Sequence, residues 1–216
     1  MAGLPRGVLE ALKVLDLHYE AFQAAKPYAD KTGHPVPSDT RACSQIVVSL
    51  VTGIQGLKRE KGADLEDGSD VKAANVWGAI DTPRFNNAIP AGRTSQRSKK
   101  PGDVSALDGM PHLFFVMWDE QGARKKPRCR VWSVRASADP VFRTMCAKWY
   151  KLRANGKIKS TNFQLHPPRN VDTNVFRNTC GNLSYPLLLC AVREGDKFEC
   201  VTYDSSVLKT GTCAKV

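Results

Sequence analysis

Apolar residues recur every three or four positions in three stretches of the chain, which is the period of an amphipathic helix. The first stretch covers residues 7–29, where Pro27 and the Gly-His-Pro-Val-Pro run beyond it are predicted to end the helix. The second follows Ser38, a good N-cap, and runs to residue 57. In the third, Asp139 precedes Pro140, which is the usual order of an N-cap and a first helical residue. The pattern therefore predicts two helices before residue 60 and one that begins at residue 140.

Shorter apolar runs predict β-strands between and after these helices. Two runs, at 112–119 and 129–136, are joined by a polar segment and form a predicted hairpin or meander. Two more, at 185–193 and 197–204, are connected by a Glu-Gly-Asp turn, and residues 162–166 form a short candidate strand. We expect an α/β fold of mixed α+β type in a single domain, 1–216, with a central mixed sheet flanked by helices. Its expected parts are N-terminal helices (1–60), a sheet core (61–135), and a helix and strands that complete the core (136–216).

The most informative stretch lies at residues 62–86. Its Glu-Asp-Gly triplet at 66–68 fits a three-residue hairpin loop, in which a type I turn is followed by Gly in the left-handed conformation. That loop pairs Asp64 with Asp70. Because side chains alternate along a strand, Asp64, Asp70 and Lys72 then share one face of the sheet. A two-residue Asp-Gly turn would place Asp64 on the opposite face.

This pairing predicts a particular chemistry. Two carboxylates that face each other across a hairpin repel at neutral pH unless a cation lies between them. Lys72, two residues along on the same face, adds a positive donor for a phosphate oxygen or an attacking water. Oxygen ligands of this kind suit Mg²⁺, which keeps several waters and uses one or two carboxylates together with substrate phosphate.

Composition adds information about the partner. The 216 residues are 42% hydrophobic and 25% charged, which is ordinary for a globular protein. The net charge of +11 is not ordinary, and its excess lies after residue 80, where 23 basic residues face 11 acidic ones. Before that point the numbers are 9 and 10. The balance favours a polyanionic partner, either nucleic acid or an acidic membrane surface.

Other classes of function find little support. No apolar run reaches the length of a membrane span or of a signal core, so we expect a soluble, cytoplasmic protein that binds no membrane. The seven Cys form no CxxC pair and the four His form no zinc clip, so the Cys are expected to pack as small hydrophobic residues. Neither a GxSxG nucleophile turn nor a GxxxxGK[ST] phosphate loop occurs.

The residues carry a resemblance at this point. An Asp on one short strand and Asp-Val-Lys on the next, with a helix before them and further strands and a helix after, resemble the PD-(D/E)xK core of type II restriction endonucleases. The resemblance extends over residues 40–135. It implies a restriction-endonuclease-like fold in which Asp64 and Asp70 hold Mg²⁺, while Lys72 orients or activates the hydrolytic water. No Pro precedes Asp64 and the separation of the acids is short, so Asp67 is an alternative first acid, although it occupies the natural turn position.

The function implied by the resemblance is Mg²⁺-dependent, sequence-specific cleavage of double-stranded DNA by a homodimer, leaving 5′-phosphate and 3′-hydroxyl ends. A cognate DNA methyltransferase in the same restriction-modification system is the implied second partner. Some members of the family place a further Glu from an upstream helix near the metal, for which Glu20 and Glu60 are candidates, and Gln45 is a candidate polar contact. The alternative hypothesis is a non-catalytic basic nucleic-acid-binding protein in which the acidic hairpin is structural.

Two segments are candidates for DNA recognition because they mix basic residues with the amides and hydroxyls that bond phosphates and base edges. The first, 82–110, contributes Arg84, Arg93, Arg97, Lys99 and Lys100. We expect it to be mobile without DNA, except at Arg84, which the adjacent Phe85 anchors. The second, 160–174, alternates polar residues along a candidate strand and contributes Asn162, Gln164, His166 and Arg169.

Overall fold

The computed structural model describes residues 3–34, 36, 39–57, 62–77, 82–90 and 102–216. The helices described are α1 (Arg6–Thr32), α2 (Arg41–Thr52), α3 (Pro140–Ala154) and the short α4 (Val207–Thr210), with a 3-10 turn at Ser105–Leu107. The strands are β1 (Asp70–Asn75), β2 (Leu113–Gln121), β3 (Lys126–Val134), β4 (Val175–Phe176), β5 (Leu183–Ser184), β6 (Leu187–Glu194), β7 (Lys197–Tyr203) and β8 (Ala214–Lys215).

A five-stranded mixed sheet organises these elements, in the order β1-β2-β3-β6-β7. Strand β1 pairs with β2 in parallel and the remaining neighbours are antiparallel. The short strands β4, β5 and β8 form a separate three-stranded sheet. The predicted mixed α+β fold, with a central mixed sheet flanked by helices, is confirmed.

Strand β2 shows why the sheet carries helices on both faces. Its first seven residues are buried without alternation, which is the pattern of a strand covered on each side. Phe115 and Met117 lie in the core that α3 covers, whereas Phe114 and Val116 lie in the core that α1 and α2 cover. Helix α3 begins as predicted, because the Asp139 side chain accepts hydrogen bonds from the backbone N–H of Val141 and Phe142.

The first two helices differ from prediction at their ends. Helix α1 continues through Pro27 to Thr32 and ends at Gly33, whose φ is +71°. Pro27 removes one backbone donor, but burial of Ala29 and the Lys26–Asp30 ion pair hold the turn that follows. Helix α2 ends at Thr52 rather than at residue 57, and Thr40 precedes its first residue; the predicted cap, Ser38, lies outside the described residues. None of the helices described is long and apolar enough to span a bilayer.

The segment 82–110 was predicted to be mobile except at Arg84, with Phe85 as its anchor. Burial of Phe85 agrees with the anchor, but the prediction of mobility is wrong for the other buried residues of the two described parts, and residues 91–101 lie outside the described residues. Phe85, Ala88, Ile89 and Leu107 are buried in the core beneath α3. These apolar residues, scattered among Arg, Gly and Ser, bury enough surface to fix 82–90 and 102–110. Residues 162–166 were predicted to be a strand, but they form only isolated bridges, from Leu165 to Phe85 and from His166 to Arg177.

Candidate active site

The site begins with a tight turn before β1. The Gly68 N–H donates to the Leu65 carbonyl and the Leu65 N–H donates to the Ser69 carbonyl, so the loop has three residues, as predicted. The predicted strand before it is wrong: Asp64 lies in a bend, Leu65 bridges Gly56, and the Val71 N–H is taken by the Asp64 side chain instead of a backbone partner. Gly68 has φ +91°, and a Cβ there would lie 2.6 Å from the Gly109 carbonyl oxygen. Only glycine fits this position without displacing the backbone.

This turn brings Asp64 back to the first residues of β1. The Val71 N–H donates to Asp64 Oδ2 and to Asp70 Oδ1, each at 2.9 Å. Strand β1 is the outermost strand of the sheet that the structure describes. The Asp70 N–H points into the sheet, to the His112 carbonyl beside β2, whereas the Val71 N–H points away from the sheet. The two carboxylates therefore meet at the open edge of the sheet and share one backbone donor.

Helix α2 holds the first of these carboxylates from the other side. The Gln45 Nε2 donates to Asp64 Oδ1 at 2.7 Å. Gln45 is half-buried on α2, whose Val47, Val48 and Val51 pack into the core against the sheet. Both oxygens of Asp64 thus have a fixed donor, so its orientation does not depend on a bound ligand.

The second carboxylate, Asp70, is buried next to another acid. Burial, together with the hydrogen bond to Asp64, raises the pKa of Asp70 from 3.8 to about 6, against the opposing charge of Lys72. Lys72 Nζ lies 2.5 Å from Asp70 Oδ2. The Lys72 ammonium therefore partly neutralises the Asp70 carboxylate, and a metal cation would take its place.

The rival acids lie elsewhere. Asp67 caps its own turn, because its carboxylate accepts from the N–H and the hydroxyl of Ser69, both at 2.9 Å. The exposed Glu20 of α1 lies 4.0 Å from Arg193 on β6, remote from the β1 edge. Glu60 lies outside the described residues. Of the acids considered, the structure brings Asp64 and Asp70 together.

These groups line a cleft of about 470 Å³. Its lining includes Gln45, Asp64, Asp70, Lys72, Arg41, Arg84 and Asn86. Within the described part of the chain no three His, Cys, Asp or Glu side chains form a metal cluster. Two hard carboxylates with room for water and a phosphate fit Mg²⁺, which is commonly held in this way, better than a cation that needs an all-protein cage.

The predicted DNA-binding residues fall into three groups. Arg84 lines the cleft, and the predicted anchor beside it, Phe85, is 1% exposed. Asn162 and Gln164 lie on a segment that is bridged to Phe85, with His166 further along it and Arg169 exposed at its end. The residues outside the described part of the chain are Arg93, Arg97, Lys99 and Lys100.

Two residues at the cleft escaped a definite prediction. Gln45 was a candidate polar contact without an assigned partner, and Asn86 had no assigned role. Their partners are distant in sequence, since Gln45 bonds a residue 19 positions away and Asn86 bonds residues 76 and 78 positions away. Periodicity cannot predict contacts between residues so far apart in sequence. For Asn86, the only local indication is that it follows Phe85, an apolar residue expected to be buried, so the Asn86 side chain is expected to face outward.

A mixed sheet with helices on both faces, and paired carboxylates with a lysine at its edge, is consistent with the restriction-endonuclease-like fold. The family model of the MamI restriction endonuclease matches residues 27–196. The type II restriction enzyme MamI of Microbacterium ammoniaphilum is 32% identical over an alignment of 189 positions, which covers 84% of this chain and 60% of the relative. The chain belongs to the MamI restriction endonuclease family, and it spans about 60% of the length of this relative. No solved structure matched significantly.

Proposed function

We propose that this protein is a type II restriction endonuclease, which cuts double-stranded DNA at a specific sequence with the help of Mg²⁺. The observation that carries the proposal is the cleft in which Asp64, Asp70 and Lys72 converge at the edge of β1. Family membership and the basic part of the chain support the same function. Cleavage leaves a 5′-phosphate and a 3′-hydroxyl.

Asp64 and Asp70 are the proposed ligands of the metal, which on binding would polarise the scissile phosphate and acidify a nearby water. Gln45 and the Val71 N–H hold Asp64 in place before the metal arrives. A cation held by Asp70 would balance its charge, and the Lys72 ammonium would then be available to position the water or to stabilise charge on the phosphate. In the proposed hydrolysis the water gives up a proton to solvent and its oxygen bonds to phosphorus in line with the P–O3′ bond. That bond breaks, and the leaving O3′ takes up a proton.

Plasmid cleavage tests this proposal. The parent protein should give discrete fragments with Mg²⁺ and none with EDTA. Asp70→Ala or Lys72→Ala should remove cleavage while DNA binding remains, because these groups act on the transition state and the metal. Cleavage by either variant within tenfold of the parent would contradict the assignment, and binding without any cleavage by the parent would support the non-catalytic alternative.

A paired substitution tests which acid is the first ligand. Asp64→Asn should abolish cleavage, because it removes a carboxylate of the proposed metal site. Asp67→Asn should leave cleavage measurable, because Asp67 contacts Ser69 rather than the cleft. The reverse pattern would transfer the role to Asp67.

The proposed partners follow from this function. One site cuts one strand, so we propose a homodimer for double-strand cleavage, since symmetric oligomers are mostly two-fold. A DNA methyltransferase that protects the same sequence completes the proposed system, which operates in the cytoplasm. Sedimentation with and without a DNA duplex tests the dimer.

A further inference from the structure

A second group of polar side chains lies beside the cleft. Segment 85–88 runs along segment 162–166, where Phe85 and Leu165 exchange both backbone hydrogen bonds at 2.8 and 3.1 Å. Phe85, Phe163 and Leu165 are buried, and the residues that alternate with them lie at the surface. The two segments, each predicted separately as a candidate for DNA recognition, therefore form one continuous surface.

Three amides on this surface are tied together. Asn86 Oδ1 accepts hydrogen bonds from Asn162 Nδ2 at 3.0 Å and from Gln164 Nε2 at 2.9 Å. Asn162 Oδ1 in turn accepts from the Asn87 N–H at 2.6 Å. We call Asn86, Asn162 and Gln164 the amide cluster. Asn86 is its centre, because its side-chain oxygen fixes the orientation of both other amides.

The hydrogen bonds within the amide cluster leave one donor and one acceptor of Gln164 for a ligand. Gln164 keeps its Oε1 acceptor and one Nε2 hydrogen, and no side-chain partner for either occurs among the described residues. An amide with one donor and one acceptor matches adenine, which presents N7 as an acceptor and N6 as a donor in the major groove. Guanine presents two acceptors there and would repel the amide oxygen.

The position of the cluster connects it to cleavage. Asn86 lines the same cleft as Asp64, Asp70 and Lys72, and Arg84 lines it two residues earlier. A duplex whose scissile phosphate lay in the cleft would therefore have base pairs close to the amide cluster. Amides already oriented by hydrogen bonds lose less conformational entropy on binding than free side chains do.

Resting on the proposed function, we propose that the amide cluster recognises an A·T base pair beside the scissile phosphate. Gln164 is the group that contacts the adenine edge. Asn86 is a positioning residue, which acts by holding the Gln164 amide in the orientation that matches adenine.

Selection from a random duplex library tests the inference. With Ca²⁺ in place of Mg²⁺, the parent should retain duplexes with an A·T pair at a fixed position. Gln164→Ala and Asn86→Ala should each lower the preference at that position about tenfold and keep the preference elsewhere. Asn182→Ala, an exposed amide outside the cleft, is the matched control and should change nothing. Equal preference in the parent and both cluster variants, or no base preference in the parent, would overturn the inference.

Two further measurements separate recognition from folding. Replacing the adenine by 7-deazaadenine, which lacks the N7 acceptor, should weaken binding of the parent about tenfold but should not weaken Gln164→Ala further. Gln164→Glu keeps the size of the side chain but has no donor for adenine N7 or for Asn86 Oδ1, so it should lose the adenine preference as Gln164→Ala does. Equal losses with the analogue in parent and variant would refute the contact.

The outcome is separable from that of the proposed function because the readout is binding. A protein that prefers adenine but cuts no DNA with Mg²⁺ would refute the nuclease proposal alone. A protein that cuts DNA but keeps its adenine preference in both cluster variants would refute this inference alone.

Discussion

Asp70 is the residue whose environment departs most clearly from that of an ordinary acid at the cleft. It is 8% exposed, faces Asp64 and contacts Lys72. Burying the negative charge of Asp70 beside Asp64 costs the folded protein free energy. A bound cation would remove this cost, so the position is suited to binding a cation. The same cost predicts how stability depends on pH.

In the metal-free protein, the pKa of Asp70 is about 6 when folded against 3.8 ordinarily, so the folded state holds the proton more tightly. This contribution to stability is present below pH 3.8 and is lost as pH rises through 6, which amounts to about 3 kcal/mol. Asp70→Asn cannot ionise and should therefore raise the free energy of unfolding at pH 7.5 by about 1–3 kcal/mol, with little change at pH 4.

Urea unfolding in EDTA at the two pH values measures this effect. Glu66→Gln, an exposed acid in the same turn, is the control and should alter neither value. If Asp70→Asn is no more stable than the parent at pH 7.5, the carboxylate is not under strain in the empty cleft.

Gln45 gives a second prediction at this scale. Gln45→Ala removes the donor to Asp64 Oδ1 but leaves the Val71 N–H in place, so Asp64 keeps its position with a looser orientation. We expect the Mg²⁺ concentration for half-maximal cleavage to rise about tenfold, in the range found when groups that orient metal ligands are removed. DNA affinity in Ca²⁺-free buffer should stay unchanged. Ile46→Ala, the exposed next residue on α2, is the control; an equal effect there would show general damage to the helix.

These residues also show what the sequence could predict. Asp64, Asp70 and Lys72 lie within nine residues of one another, and turn chemistry was enough to predict that they lie close together, although Asp64 lies in a bend and not on the predicted strand. The contacts of Gln45 and Asn86 depend on how α2 and the 162–166 segment pack, and no local rule specifies that packing. The loop at 82–90 was misjudged for the same reason, because its few apolar residues find their partners on β2 and α3.

At the scale of elements, a buried ion cluster fixes the segment that carries Arg169. Asp119 on β2 is fully buried and accepts from Arg128 and Arg130 of β3, with all contacts at 2.8 Å. The two arginines also donate to carbonyls of residues 168, 171 and 173. The sheet thus holds, through hydrogen bonds, the chain that follows the amide cluster.

Asp119→Asn should lower the free energy of unfolding by about 3–5 kcal/mol, because it leaves buried guanidinium charge uncompensated. Asp172→Asn is the matched comparison: Asp172 contacts Arg128 as well, but its side chain is 72% exposed, so the loss should be below about 1 kcal/mol. Urea denaturation of both variants gives the values. Similar losses for the two would show that burial does not govern this cluster.

At the scale of the whole molecule, the excess positive charge lies after residue 80, where it favours binding of a polyanion such as DNA. About six to ten of the Lys and Arg residues after position 80 are expected to contact phosphates. A plot of log DNA affinity against log salt concentration should then have a slope of about −0.9 for each such contact. Arg84→Gln, in the cleft, should make the slope shallower by about one. Arg6 is an exposed residue of α1 that pairs with Glu10, so Arg6→Gln should leave the slope unchanged. A titration from low to moderate salt measures the slope, and a slope near zero would refute a DNA-facing surface.

The location of the candidate site on an edge strand has a further consequence. An exposed strand edge offers unpaired N–H groups to other chains, and natural proteins block such edges with charge to prevent aggregation. At β1 the Asp64 carboxylate occupies the Val71 N–H, so the proposed metal ligand also blocks intermolecular strand pairing. Replacing Asp64 by an apolar residue would therefore leave the Val71 N–H free to pair with another chain, so the same carboxylate is expected to serve both the solubility of the chain and its proposed chemistry.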